Sequence, residues 1–283
     1  MTEGPWAGPI PPSAPPERLP QLDIPPPGPQ RRLTVFFRLP LLVPHFVVLF
    51  FLHIAAWFAT IATWFAALAT ARVPDPLYRF LAGYLGWATR VDAEAMLLVD
   101  RYPPFALHAP GYPVRVEVTG DRLNRLAVLF RLILLIPALI VQALASSGWW
   151  ALGLIWWLIV LVMGRVPQPL FEASAAVLRF RMRTGAYAMM LTPAYPKGFF
   201  GDRPGALGTD TEEAEEVGRV TENLGDASGS ATRPLVLGTP ATVLLVVFLL
   251  AGLAGGASGS TSSYTTGDEP GRGPSPSPAV TDR

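Results

Sequence analysis

Long uncharged segments dominate the hydrophobic pattern, and two of them have the same length. No formal charge occurs from Leu39 to Ala71 or from Leu132 to Gly164. One helix over either segment would be roughly 50 Å long, whereas a bilayer core of about 30 Å needs roughly 20 helical residues. Turn formers, Ser146 to Gly148, lie in the middle of the second segment. We therefore predict a hairpin of two membrane helices in each segment, at Leu33–Leu52 and Ala56–Ala71, then at Leu126–Ala145 and Trp149–Gly164. Because the halves are short, each hairpin either spans the bilayer or dips in and returns.

The two segments belong to a tandem repeat. Arg38 and Pro44 recur as Arg131 and Pro137, each 93 residues later. A repeat at a fixed interval indicates that each copy is one structural unit. Because each copy has an even number of spans, both copies should face the same way, related by an axis near the membrane normal.

Other segments complete the predicted fold. Apolar positions recur at helical spacing over Leu77–Ala95 and Leu170–Leu191, which predicts helices lying on the membrane surface. Tyr112–Thr119 alternates as a short strand, and Leu235–Gly255 is a fifth apolar run. The predicted fold class is all-α integral membrane, with two parallel transmembrane helix hairpins and one C-terminal transmembrane helix.

The predicted organisation has six parts, which follow from composition. A proline-rich disordered cytoplasmic tail precedes the two copies, and an acidic flexible linker separates them from the last helix and a disordered external tail. The boundaries are 1–30 for the first tail, 31–105 and 106–200 for the copies, 201–233 for the linker, 234–257 for the last helix and 258–283 for the external tail.

Composition narrows the function classes. The chain is 51% hydrophobic and 15% charged, against about 25% charged in soluble domains, which favours a membrane protein. A net charge of +1 gives no field that would attract nucleic acid, and the absence of cysteine excludes disulfides and thiolate metal sites. No phosphate loop, nucleophile elbow or zinc motif occurs, so we expect no enzyme, no cofactor and no metal. Asp92 and Glu94 are interpreted as a solvated helix face.

Arginines are the best-marked polar positions. The positive-inside rule places them on the cytoplasmic side, with the N-terminus cytoplasmic and the C-terminus external. They either anchor the topology or bind anionic lipid headgroups or a partner, and the anchoring interpretation is the more common one. Arg38 and Arg131 lie inside apolar helices, so we predict that they face the protein interior or headgroups rather than acyl chains. The candidate binding residues are Arg38, Arg72, Arg90, Arg131, Arg165 and Arg183.

Several repeated motifs carry a family resemblance. The second copy contains Phe130-Arg131-Leu132, Gly164-Arg165-Val166-Pro167 and Tyr195-Pro196, and the first copy closes with Asp100-Arg101-Tyr102-Pro103-Pro104-Phe105. The chain resembles the bacterial membrane family known as domain of unknown function 4389, present here as two copies. The resemblance implies a multi-span membrane protein and supplies no activity.

The expected function is a non-enzymatic scaffold, lipid-interacting or regulatory protein of the plasma membrane, acting through a cytoplasmic arginine face. Its partners would be anionic lipids, a second copy of the chain or another membrane protein. The alternative is a small transporter or channel that acts as an oligomer. Intramembrane acidic residues would favour transport, and both long apolar runs lack them.

Overall fold

The structure is a computed structural model that describes residues 19–202 and 230–260, and these ranges are mostly helical. The predicted parts at 1–18, 203–229 and 261–283 lie outside the described residues. Within the described ranges there are two short strands, β1 (Gln21–Asp23) and β2 (Arg115–Glu117), and seven helices. The helices are α1 (Arg32–Thr70), α2 (Asp75–Ala95), α3 (Arg125–Leu129), α4 (Arg131–Ala151), α5 (Gly153–Met163), α6 (Gln168–Ala188) and α7 (Thr239–Ser260).

The predicted hairpins are not formed. In the first copy α1 is one continuous helix of 39 residues that passes through the expected turn and through Pro40 and Pro44. In the second copy the expected turn lies inside α4, and α3, α4 and α5 are separated by single residues with near-helical backbone angles. Gly148 serves helix packing instead of a turn: a Cβ there would lie 1.7 Å from the carbonyl oxygen of Phe248 on α7.

The two copies are related by an internal two-fold axis. The indole of Trp64 donates to the carbonyl of Val128 at 3.1 Å, and its repeat partner Trp157 donates to Val35 at 2.8 Å. The backbone shows the same reciprocity, because Gln30 donates to Gly164 and Leu123 donates to Ala71. The start of each long helix therefore meets the end of the other. The long helices are antiparallel, which corrects the predicted parallel orientation.

The axis passes through three pairs of elements, which form three layers. The long helices, α1 and α3–α5, form the first layer together with α7. The middle layer is α2 and α6, which pack on α1 and α4 respectively and also contact each other. The third layer is the sheet, where β2 packs on α2 and β1 on α6. Because the axis reverses the long helices, it runs perpendicular to them, from the first layer to the sheet.

The middle layer is the core of the molecule. Both of its helices are mostly buried, including Phe171 and Leu81 at 0% exposure. An ion pair between Arg181 and Asp92 joins them at 3.4 Å. The two helices predicted at Leu77–Ala95 and Leu170–Leu191 are formed, and their apolar faces pack against the long helices and against each other. Their position at a membrane surface stays a prediction.

The sheet confirms the predicted strand at Tyr112–Thr119 and corrects the boundaries of two disordered parts. Leu22 pairs with Val116 and Asp23 with Arg115 in an antiparallel register that obeys the same two-fold axis. The strand β1 thus lies within the segment predicted as a disordered tail. The end of the predicted linker is also packed, because Arg233 bridges Asp23 and Glu117 at 2.6 and 2.9 Å.

The C-terminal apolar run forms α7, which lies along α4 instead of standing apart. Phe248 contacts Gly148 and Gly252 contacts Leu144, so α7 is antiparallel to α4. Among the described residues, the helices Arg32–Thr70 and Arg131–Ala151 are long and apolar enough to cross a membrane, judged by length and composition. The apolar segments Gly153–Met163 and Thr239–Gly255 are shorter.

Candidate functional site

A buried ionic cluster joins the first copy's long helix to its second helix. Arg38 of α1 is 1% exposed, and its Nη2 lies 2.9 Å from Oδ1 of Asp100, in the loop after α2. Its Nε lies 3.4 Å from Oε1 of Glu94, near the end of α2. Asp100 also accepts from the backbone N–H of Arg31 at 2.8 Å, so the cluster fixes the start of α1. Two carboxylates around one guanidinium leave a net negative charge when both are ionised.

Glu94 has a pKa far above the usual range of a carboxyl group. Burial raises the pKa of Glu94 to about 7, although the nearby Arg38 guanidinium opposes the increase. One of its carboxylate oxygens is buried and has no hydrogen-bond partner among the described residues. A carboxyl group with this pKa gains and loses its proton near neutral pH.

The second copy keeps the arginine and replaces its partners. Arg131 is 3% exposed, and its guanidinium lies 3.9 Å above the ring of Tyr187, which occupies the position of Glu94. Its Nη2 donates to the carbonyl of Thr192. Pro193 stands where the first copy has Asp100. The second site therefore holds its charge by cation–π contact and a backbone carbonyl, without an acidic group.

Two more candidate arginines are buried and donate hydrogen bonds to backbone carbonyls within the protein. Arg90 donates to the carbonyls of Ala106 and Leu107 and holds the loop that follows α2. Arg183, its repeat partner, donates to the carbonyl of Pro20 at 3.1 Å and to that of Lys197 at 2.9 Å. Both side chains are buried, so these contacts explain the two arginines without an external ligand.

Arg72 and Arg165 are the two candidates on the surface. Each follows the end of a long helix, and the two-fold axis places them at opposite ends of the antiparallel pair. Arg72 lines an open polar cavity of about 470 Å³ together with Asp121 and Arg122. The six candidate arginines therefore do not form one face: Arg38, Arg90, Arg131 and Arg183 are inside, and Arg72 and Arg165 are outside.

An apolar cavity of about 360 Å³ lies beside the ionic cluster. One wall is the first turns of α1, and the opposite wall is the junction of α4 and α5. Ala95 and Leu97 from the end of α2 contribute further wall. The remaining lining residues are Phe36, Arg38, Leu39, Pro40, Trp149, Trp150, Gly153, Leu154 and Trp157.

The acidic residues of the ionic cluster were missed at the level of sequence. Glu94 was interpreted as part of a solvated face, yet it is 3% exposed. One signal was available: the partners of Glu94 and Asp100 in the second copy are Tyr187 and Pro193, so both acids are specific to one copy. No group of three or more histidine or acidic side chains suited to a metal occurs within residues 19–202 and 230–260.

The fold and the paired arginines define a two-copy helical protein with an internal two-fold axis and a long apolar layer. The model of the family described as "Domain of unknown function (DUF4389)" matches residues 32–106 and again residues 125–200. These matches cover more than half of the chain, which therefore belongs to this family and contains two tandem copies of its domain. Comparisons with curated proteins and with solved structures give no match.

Proposed function

We propose that this protein is a non-enzymatic, monotopic membrane protein that works in contact with lipid, with its first layer embedded in one leaflet. The supporting observation is the outer surface of that layer, which exposes large apolar side chains along its whole length. Soluble monomers rarely expose contiguous apolar patches above a few hundred Å². The exposed residues include Phe36, Phe50, Phe51, Trp57, Phe58, Phe65, Ile133, Ile140, Leu154, Leu158, Val246 and Leu250.

The length of α1 argues against an upright span. At about 1.5 Å per residue the helix is about 58 Å long, whereas the hydrocarbon core is about 30 Å thick. To keep its whole length within the hydrocarbon core, a spanning α1 would have to tilt by roughly 60° from the membrane normal. Membrane helices adopt tilts of about 0–40°. A helix that lies in the plane of the leaflet has no such mismatch.

The position of the sheet supports the same orientation. The two-fold axis passes through the middle of the long helices and also through the sheet, where Arg115 and Glu117 are exposed. If α1 stood upright, these charges would lie at the height of the bilayer centre, where each costs about 2.5–3.5 kcal/mol or more. With the axis along the membrane normal, the sheet points into water.

The surface arginines then reach the headgroup region. Arg72 and Arg165 lie at the two ends of the embedded layer, and in this orientation both are at the same membrane face. Each arginine near an anionic surface contributes about 1 kcal/mol. We assign the embedded side to the cytoplasmic leaflet of the plasma membrane, which carries anionic lipid.

A labelling experiment tests the orientation. Because the chain has no cysteine, Asp75→Cys and Gln168→Cys each introduce a single thiol, and both positions are exposed first residues of their helices. A membrane-impermeant maleimide should label both variants from the same side of the membrane, in oriented vesicles of the native membrane. Labelling from opposite sides would show that the long helices cross the bilayer and would reject the monotopic orientation.

A flotation experiment tests the contact with lipid. The purified protein should float with vesicles of phosphatidylcholine, and more strongly when phosphatidylglycerol is included. The double variant Arg72→Ala, Arg165→Ala should lose roughly tenfold or more of the phosphatidylglycerol contribution, since two headgroup contacts are removed. Arg115→Ala, on the distant sheet, is the matched control and should float as the unaltered protein does. No flotation with either vesicle would refute the proposed function.

A further inference from the structure

The apolar cavity between α1 and the α4–α5 junction is a preformed space with fixed walls. Trp149 is buried and its indole donates to Ser174 at 2.8 Å. Trp157 donates to the carbonyl of Val35 at 2.8 Å. With their N–H groups satisfied by the protein, both rings present apolar surface to the cavity. The volume of about 360 Å³ lies within the range of small-molecule sites.

The cavity opens onto the surface proposed to face the membrane. Four of its lining residues are also among the exposed apolar side chains of the first layer: Phe36, Leu39, Trp150 and Leu154. A group that enters between them comes from the same environment that surrounds the layer. In the proposed orientation that environment is the acyl-chain region of one leaflet.

The chemistry of the lining selects an uncharged occupant. Among the described residues that line the cavity, Arg38 alone carries a charge. Its guanidinium is already held by Asp100 at 2.9 Å and by Glu94 at 3.4 Å, so a charged ligand would have to displace a buried ion pair. A saturated or unsaturated hydrocarbon chain meets no such cost.

The cavity depends on residues that only one side of the two-fold axis has. Gly153 lines it without a side chain, whereas its repeat partner is Thr60. Trp149, Gly153 and Pro40 correspond to Ala56, Thr60 and Ile133, so the equivalent position across the axis has a different shape. A Cβ built on Gly153 would meet Trp150 and Trp149 at 3.8 and 4.0 Å, which is ordinary contact. A larger side chain there can fill the cavity without moving the backbone.

We infer that this cavity binds one acyl chain of a membrane phospholipid, drawn sideways from the leaflet in which the first layer lies. The inference rests on the proposed membrane function and gives it a specific lipid site. The headgroup would remain outside, so the site recognises the chain and is indifferent to the charge of the lipid.

Titration of the detergent-solubilised full chain with dibromostearoyl phosphatidylcholine tests the inference, because bromine quenches tryptophan fluorescence at contact and three tryptophans line the cavity. The unaltered protein should show one saturable component, with equal half-saturation for the phosphatidylglycerol analogue. Gly153→Leu should weaken this component at least tenfold. Thr60→Leu adds a leucine at the repeat-related position outside the cavity and should leave the component unchanged. If Gly153→Leu does not fold, as judged by circular dichroism and size exclusion, Leu39→Trp at the mouth replaces it.

Each outcome decides the inference. Non-saturable quenching in the unaltered protein, or the same half-saturation in the filled variants, would overturn it. A tenfold preference for free dibromostearate would assign the cavity to a fatty acid and would reject the phospholipid. Flotation separates this site from the proposed function: Gly153→Leu should still float with vesicles. A protein that never floats but binds the brominated lipid in detergent would retain the cavity site and lose the membrane orientation.

Discussion

The two copies place an arginine at the same point of the same fold and surround it differently. In the first copy Arg38 is held by Glu94 and Asp100, whereas in the second Arg131 lies over Tyr187. The reciprocal hydrogen bonds between the copies are nonetheless maintained. The shared arginine therefore belongs to the architecture, and the acidic groups are an addition to one copy.

The copies also differ in what covers them. In the second copy α7 packs closely on α4 through Gly148, and Trp156 lies edge-on to Phe248. At the corresponding part of α1, Phe51 and Ala55 are exposed, and the nearby His45 stacks on Phe105 of the loop after α2. The same repeated positions are thus covered by a helix in the second copy and exposed in the first.

Substitution of each arginine by alanine should give the largest difference in stability between the two sites. Arg38→Ala leaves Glu94 and Asp100 without a counter-charge and should lower the free energy of unfolding by about 3–5 kcal/mol. Arg131→Ala removes a ring contact and one hydrogen bond and should cost about 1–3 kcal/mol. Denaturant unfolding in one detergent measures both. Equal losses would mean that the acidic groups do not distinguish the copies.

The pH dependence of stability should also distinguish the acidic site around Arg38 from the site around Arg131. The pKa of Glu94 is raised to about 7 from 4.5. Its contribution to the free energy of unfolding is therefore fully present below pH 4.5 and is lost as the pH rises through 7. The loss is on the order of 2–3 kcal/mol. Unfolding at pH 4.5 and pH 8 should show a larger difference for the unaltered protein than for Glu94→Gln. Tyr187→Phe is the control from the second copy and should keep the original pH dependence.

Leucine substitutions at the repeat-related positions Gly148 and Ala55 test whether α7 covers the second copy while the first copy is exposed. Gly148→Leu would collide with the backbone of α7 and should cost about 1–3 kcal/mol or more. Ala55→Leu lies on an exposed surface and should stay within about 0.5 kcal/mol. Thermal unfolding of both variants gives the comparison. A neutral Gly148→Leu would show that α7 does not rest on α4 as closely as described.

The smallest effect concerns the ends of the long helices. Ala71 and Gly164 are repeat partners with positive φ of 56° and 66°, a conformation that favours glycine. Ala71→Gly should therefore stabilise the protein by about 0.5–1 kcal/mol, and Gly164→Ala should destabilise it by a similar amount. Differential scanning calorimetry of the two variants measures the opposite signs. The same sign in both would contradict the equivalence of the two helix ends.

The repeat, its helical character and the C-terminal helix could be predicted from the sequence, because periodicity and apolar length are local properties. The hairpin turn could not, since Gly148 suits a turn and a close helix contact equally well. The antiparallel direction of the two long helices could not be predicted either. A tryptophan such as Trp64 and a valine such as Val128 are common in apolar helices and do not indicate that they contact each other. The strand at Gln21–Asp23 is too short to recognise beside so many prolines.

The ionic cluster was unpredictable for a different reason. Arg38 and Glu94 are far apart in sequence, and the pattern around Glu94 fits a surface helix as well as a core helix. Only the position of α2 between the long helices and the sheet shows that its charged residues are buried. The role of the exposed arginines remains a prediction, as do a homo-oligomer and a membrane-protein partner.

The reciprocal tryptophan bonds have a consequence for how this chain compares with a homodimer. An isologous interface, in which each subunit offers the other the same surface, has the form that these two copies adopt within one chain. In a symmetric homodimer every substitution appears twice and every added segment must find two places. Fusion of the copies removes that constraint. It allows α7, the acidic cluster around Arg38 and the apolar cavity each to lie on one side of a scaffold that, over the described residues, is otherwise two-fold.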